Sequence, residues 1–174
     1  MKLCTKEYCI SKSGEIADLF NMVFTDGVVN DDKWKPNEIE EALCDRIKSL
    51  NWKVILVEKN KKIIAVGASA LNITSKAKNN IKLFEKIKYD KKYFNSIKWL
   101  AVDKEKQQMG IGNKILKKLL KQIKNQYIVT VSCSKYNVDY YKKFGFEIIG
   151  KQPKGQNPNS KFYENYLMAL KGTF

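Results

Sequence analysis

Val102-Asp103-Lys104-Glu105-Lys106-Gln107-Gln108-Met109-Gly110-Ile111-Gly112 is the stretch on which the reading of the fold depends. Upstream, Ile97 to Val102 reads as a buried strand. Downstream, Ile111, Ile115, Leu116, Leu119, Leu120 and Ile123 recur at helical spacing, with Lys114, Lys117, Lys118, Lys121 and Lys124 largely off that stripe. A strand that turns directly into a helix is a place to hold phosphates. The first helical N–H groups have no intrahelical partners, and the helix dipole adds partial positive charge. Gly110 and Gly112 carry no side chains, so an anion can approach the backbone closely, and Lys114 adds charge one turn further on. The stretch lacks the Gly-Lys-Ser/Thr ending of a P-loop and the third glycine of the dinucleotide fingerprint. Taken alone, G-x-G reads first as a tight strand-to-helix turn that uses glycine for packing.

Working outward, residues 2–10 read as a first strand. Ile16, Leu19, Phe20, Val23 and Phe24 follow Ser13, a good N-cap, at helical spacing. A second helix is expected after Pro36 and Asn37, with Ile39, Ala42, Leu43, Ile47 and Leu50 on one stripe and Glu40 completing a capping box. Trp52 to Glu58 and Ile63 to Ile73 are β-branched runs around the polar turn 59–62, which predicts a hairpin, and Gly67 predicts a bulge. Residues 74–95 read as a Lys- and Asn-rich insertion holding a short helix. Beyond the central turn and its helix come a strand over Tyr127 to Ser132, a short helix from Ser134 to Phe144 stopped by Gly145, and strands over Phe146 to Gly150 and Tyr163 to Leu170. This order predicts an α/β (α+β) fold: one mixed, mostly antiparallel central sheet flanked by helices, in a single domain over residues 1–174.

Two segments in the right order resemble the GNAT acetyltransferase superfamily. The turn is similar to the family's acetyl-CoA signature Gln/Arg-x-x-Gly-x-Gly/Ala through Gln107, Gly110 and Gly112. Asn137-Val138-Asp139-Tyr140-Tyr141-Lys142-Lys143-Phe144-Gly145-Phe146 is similar to its second segment, Tyr-x-Lys-x-Gly-Phe on a short helix. The resemblance covers about residues 52–150, and residues 1–51 match in element order only. It implies acetyl-CoA as co-substrate and direct attack by a primary amine in a ternary complex, with no metal. It also implies that backbone groups of Leu100, Ala101 and Val102 pair with the pantetheine arm. The backbone of Gln107, Gln108, Met109, Gly110, Ile111, Gly112 and Asn113 would cradle the pyrophosphate, and Asn137 and Tyr141, four apart, would share a helix face toward the cofactor. Tyr141 is then the general acid for the departing thiolate, since a neutral hydroxyl stabilises developing charge and delivers a proton. The bland alternative for Tyr141 is a core-facing aromatic, as Tyr140 is expected to be.

The chain departs from the family pattern in two places. Gln108 and Met109 stand where many relatives have Gly and a basic residue. The strand Asn95 to Leu100 holds no Glu, where relatives often keep a general base. The amine's proton must still leave, and ordered water, Glu58, Asp103 and Glu164 are the candidates.

Composition narrows the classes. The chain has 44% apolar and 29% charged residues in 174, no apolar run long enough for a bilayer, and a charge inside the stretch where a signal peptide needs its apolar core, so a cytoplasmic protein is expected. With no His and with Cys4, Cys9, Cys44 and Cys133 scattered without a C-x-x-C pair, common zinc sites are nearly excluded and reduced, partly buried thiols are expected. Cys133 reads as such a thiol rather than an acyl carrier.

The net charge of +15 suggests nucleic acid, but Arg46 is the only arginine among 33 basic residues. A phosphate-gripping surface usually includes arginine forks, so a solvated lysine surface ranks first. Three acceptor readings stand: a small-molecule or peptide amine, with a short similarity of Cys133, Asn137-Val138 and Tyr141 to Phe146 to glucosamine-6-phosphate N-acetyltransferases; an RNA-directed toxin acetylating aminoacyl-tRNA; and a non-catalytic acyl-CoA-binding regulator. Acceptor specificity is expected from residues 20–37 and 151–163. The exposed edge of a last strand over Tyr163 to Leu170 offers a homodimer contact.

Overall fold

The computed structural model describes residues 2–24, 37, 41, 52–77, 80–123, 127–153 and 164–170. In chain order the elements are β1 (Lys2–Leu3), α1 (Lys6–Ser11), α2 (Ser13–Phe24), β2 (Lys53–Lys59), β3 (Lys62–Ile73), α3 (Ile81–Lys86), β4 (Tyr93–Val102), α4 (Ile111–Gln122), β5 (Val129–Ser134), α5 (Val138–Lys142), β6 (Glu147–Lys151) and β7 (Asn165–Leu170). The strand order is β1-β2-β3-β4-β5-β7-β6. The β4–β5 pairing is parallel, and β1–β2, β2–β3, β5–β7 and β6–β7 are antiparallel. The expected mixed, mostly antiparallel sheet with helices is what forms. Among the described residues no helix is long and apolar enough to cross a membrane. The second N-terminal helix lies outside the described residues apart from Asn37 and Glu41, which are helical. Two compact units organise the chain: Met1–Ala70 with Lys98–Ile123, and Leu71–Ile97 with Lys124–Phe174.

In the first unit, the expected strand over residues 2–10 is corrected. Only Lys2–Leu3 pairs as a strand, because Thr5 caps a helix: its Oγ1 accepts the Tyr8 N–H at 3.3 Å and so satisfies one orphan donor of α1. The β2–β3 hairpin closes at Asn60 and Lys61 with φ of 52° and 62°, the paired positive values of a mirror-image two-residue turn, whose twist matches the flanking strands. Val57 pairs with Ala65 but Glu58 pairs with Ile63, so the extra residue is Ile64. Its carbonyl accepts the Asp103 N–H at 2.8 Å, tying the bulge to the end of β4. The bulge expected at Gly67 is therefore corrected: Gly67 sits in regular register opposite Ile55.

Gly67 has a packing role. A Cβ there would lie 2.2 Å from Ile115 Cγ2 and 3.2 Å from Leu119 Cδ1, so its absence lets α4 lie close on β3. Val66 and Ala68 point to the other face, where Ile16, Leu19 and Phe20 of α2 are buried in the same cluster. There Trp99 takes Phe20 edge-on at 5.2 Å and Trp52 at 5.1 Å. The β-branched Ile115 has little rotamer freedom in a helix, so Gly67→Ala is an overpacking change. It is expected to cost about 1–3 kcal/mol, read as a lower urea midpoint with an unchanged slope. A midpoint within error of wild type would show that α4 shifts freely.

In the second unit, β5 runs beside β4 with Asn95 opposite Val129, and β7 pairs along all of β5 from Val129↔Leu170 to Ser134↔Asn165. Its other side pairs with β6. The last strand is therefore interior, and the expected exposed edge at β7 is corrected; at this end the edge belongs to β6. The Lys-rich insertion contributes core. Phe84 of α3 is buried with Phe94, Ile128, Ile149, Leu167 and Ala169. Tyr89 carries hydrogen bonds both ways, donating to the Tyr93 carbonyl at 2.5 Å and accepting the Ile128 N–H at 3.3 Å.

Candidate active site

The turn after β4 is built by three local devices. Asp103 is buried, and its Oδ1 accepts the Glu105 N–H at 3.0 Å, starting a short 3-10 turn over Lys104–Lys106. The side-chain amide of Gln107 then reaches back and donates to the Val102 carbonyl at 3.0 Å. Gln108 takes φ of 61°, a left-handed conformation that a residue with a Cβ adopts at a cost of about 1–2 kcal/mol. Gly110 follows at φ 73° and ψ 7° as the N-cap of α4. Nothing lies within 4 Å of where its Cβ would be, so glycine serves the backbone conformation here and leaves open space over the helix end.

The N-terminus of α4 suits an anion. Its first N–H groups have no intrahelical acceptor. Gly110 has no side chain to cap them, and the first turn holds no acidic residue. Asn113 and Lys114 are exposed, while Ile111 and Gly112 are half-buried. Met109 is 63% exposed, so it does not roof the turn with buried packing. On β4, Ala101 is buried and Leu100 and Val102 are half-buried. The Val102 carbonyl, expected from the resemblance to meet the pantetheine arm, accepts one bond from Gln107. That role of the Gln107 side chain was not visible in the sequence, which placed the residue only in the backbone cradle.

In the second unit, Tyr141 lies on α5 and is 7% exposed, with Phe146 edge-on at 5.6 Å and Tyr140 at 5.0 Å. Burial, reinforced by Tyr140 and Cys133, pushes its hydroxyl well above the ordinary 10.0. The group therefore holds its proton across the physiological range, as a donor must. Asn137 is exposed and falls in the 3-10 turn Lys135–Asn137, at the cap of α5 rather than within it. Tyr140 is half-buried, its hydroxyl hidden and without a partner, and burial pushes its pKa up to about 12. A second unpartnered buried group is the Asn95 side-chain N–H on β4. Neither orphan is legible from residue type.

Cys133 is buried with its Sγ 3.5 Å from Met168 Sδ, and burial pushes its thiol up to about 11. A thiol held protonated in this way is a poor nucleophile, in keeping with its reading as a packing residue. The three candidate bases are all engaged. Glu58 accepts from the Tyr8 hydroxyl at 2.8 Å, Asp103 caps its turn, and Glu164 pairs with Lys135 at 3.3 Å. Among the described residues no group of three or more His, Cys, Asp or Glu could hold a metal ion.

A sequence profile of the acetyltransferase (GNAT) domain matches residues 25–162, most of the chain. The protein belongs to the GNAT acetyltransferase family. Searched against curated protein sequences, this acetyltransferase finds no match. Solved structures share its fold. A GNAT-family acetyltransferase from Streptococcus pneumoniae is 19% identical with a TM-score of 0.64, covering 92% of this chain and 94% of that one. The ribosomal-protein-S18-alanine N-acetyltransferase of Escherichia coli is 13% identical with a TM-score of 0.63, covering 94% and 90%. The structure of yncA from Salmonella typhimurium, solved with its cofactor acetyl-CoA, is 14% identical with a TM-score of 0.63, covering 98% and 91%. At these identities the likeness establishes the fold.

Proposed function

We propose that this GNAT chain acts as one N-acetyltransferase domain that moves the acetyl group of acetyl-CoA to a primary amine by direct attack in a ternary complex. The observation that carries the reading is the start of α4: an uncapped helix N-terminus, opened by Gly110 in a left-handed conformation and free of first-turn carboxylates. Such an end fits a pyrophosphate. Acetyl-CoA bound to the yncA neighbour supports the same choice of co-substrate.

In this reading the backbone of Leu100, Ala101 and Val102 aligns the pantetheine arm, and the N–H groups from Gln107 to Asn113 hold the pyrophosphate. The bound thioester supplies an acyl group already activated for transfer to nitrogen. Tyr141 donates a hydrogen bond to the leaving sulfur. A thiol ordinarily ionises near 8.5, below the raised tyrosine, so handing over the proton alone is uphill. The transfer becomes favourable only as the former amine loses its own proton. With Glu58, Asp103 and Glu164 each engaged, we assign that proton to water. The acceptor is a primary amine on a small molecule or peptide.

The test is thermal unfolding with acetyl-CoA, CoA and ATP. At ligand near 100 times Kd, mass action contributes about 2.7 kcal/mol, which raises Tm by roughly 5–10 °C for a domain of this size. Both CoA species are expected to stabilise well above ATP. An equal shift with ATP would reduce the turn to a general phosphate site, and no shift at millimolar acetyl-CoA would remove the cofactor from the reading.

A further inference from the structure

The N-terminal helix is held by a motif whose chemistry acetyl transfer does not use. Thr5 is the N-cap of α1. Counting from it, Cys4 is the residue before the cap and Cys9 the fourth residue of the helix. These are the two positions that close a hydrophobic staple and set the angle at which a chain enters a helix. The pair works as such: Cys9 is fully buried in the core of its unit, and Cys4 packs half-buried against the same cluster. Cys4 sits near enough to Cys9 to add to the effect of burial in pushing the Cys9 thiol up. Both ends are anchored independently, Cys4 through its N–H to the Val54 carbonyl at 3.0 Å and Cys9 through its N–H to the Thr5 carbonyl at 3.1 Å. Any pair of aliphatic side chains would serve for packing; two cysteines at the staple positions add a covalent option.

We propose that Cys4 and Cys9 form a redox modification site in which the staple closes to an intramolecular disulfide. With glutathione disulfide as oxidant, the Cys4 thiolate attacks one of its sulfurs, forming a mixed disulfide and releasing one glutathione. Cys9 then attacks the Cys4 sulfur as its thiolate, releasing the second, and the proton it gives up ends on a released glutathione thiolate. The two cysteines lose two electrons and two protons, and the oxidant gains them as two glutathione thiols. Burial, with the neighbouring Cys4, pushes the Cys9 thiol up to about 12. The half-buried Cys4 therefore opens the sequence; Cys9, held protonated like Cys133, is a poor nucleophile and resolves it slowly, over hours of equilibration, and faster as pH rises because more Cys9 thiolate forms.

The sequence supplies a clean readout. Trypsin cuts after Lys2, Lys6 and Lys12, placing Cys4 in Leu3–Lys6 and Cys9 in Glu7–Lys12. The full-length protein is equilibrated with glutathione disulfide, capped with N-ethylmaleimide, denatured and digested. The expected result is that the two peptides travel in the mass spectrum as one joined species, which dithiothreitol separates and Cys4→Ser abolishes. Recovery of both peptides apart, with capped or glutathionylated thiols, overturns the proposal, as does a link from either cysteine to Cys44 or Cys133.

Discussion

Tyr141→Phe is expected to lower kcat by about 100-fold or more while leaving acetyl-CoA affinity within about twofold, because a positioned acid contributes roughly 10²–10⁴ to rate. The substitution removes one oxygen from a buried side chain and keeps the ring contacts with Tyr140 and Phe146, so the fold is expected to persist. Initial rates for any accepted amine, together with acetyl-CoA titration of the variant, separate the two effects. The pH profile is a second readout. Burial raises the Tyr141 pKa above 10.0, and an acid works while protonated, so it stays competent as pH climbs. The wild-type rate is expected to rise as the amine deprotonates and not to turn down before about pH 10. Equal turnover in the phenylalanine variant would return Tyr141 to packing alone.

The double variant Gly110→Asp with Gly112→Asp is expected to weaken acetyl-CoA binding by at least about 100-fold. Two carboxylates at the head of α4 would oppose the pyrophosphate, and like charges a few ångströms apart at a protein surface repel by several kcal/mol. The change is chosen to spare the fold. Space beside Gly110 is open, and acidic residues in a first helical turn favour the helix dipole. Asp also tolerates the left-handed φ of 73° better than most residues. A Tm near wild type without ligand, with the acetyl-CoA shift gone, is the predicted outcome. Affinity unchanged in a folded double variant would take the turn out of cofactor binding.

Much of this protein is local and was legible in the sequence. The spacing of Ile16, Leu19 and Phe20, the polar turn 59–62 between β-branched runs, and the passage from Val102 through Gly110 into an amphipathic helix each depend on residues within a few positions of one another. Backbone periodicity, left-handed φ and unpaired N–H groups are set at that range, so the strand-turn-helix and its fitness for an anion were readable from residue types. The Tyr141 segment was legible in part: a short helix forms, but as Val138–Lys142 rather than from Ser134 to Phe144.

What the tertiary structure decided is everything that depends on which distant residues meet. Gly67 is required by Ile115, 48 positions away, and not by a bulge; the bulge falls at Ile64, whose carbonyl receives Asp103. Strand β7 became interior because β6, earlier in the chain, took its outer side. Glu58 meets Tyr8, and Lys135 meets Glu164, so the carboxylates that looked free for proton transfer are engaged. Three local readings failed: Ser13 is helical in α2 rather than its N-cap, Asn137 lies at the cap of α5, and at the β1–α1 boundary Thr5 capping Tyr8 outweighed a stretch that reads as a strand, setting Cys4 and Cys9 at the two staple positions. Sequence spacing encodes the geometry of one element, but register between elements is settled by the packing of side chains far apart in the chain. A glycine, a carboxylate or a thiol acquires its role only when that packing supplies its neighbour.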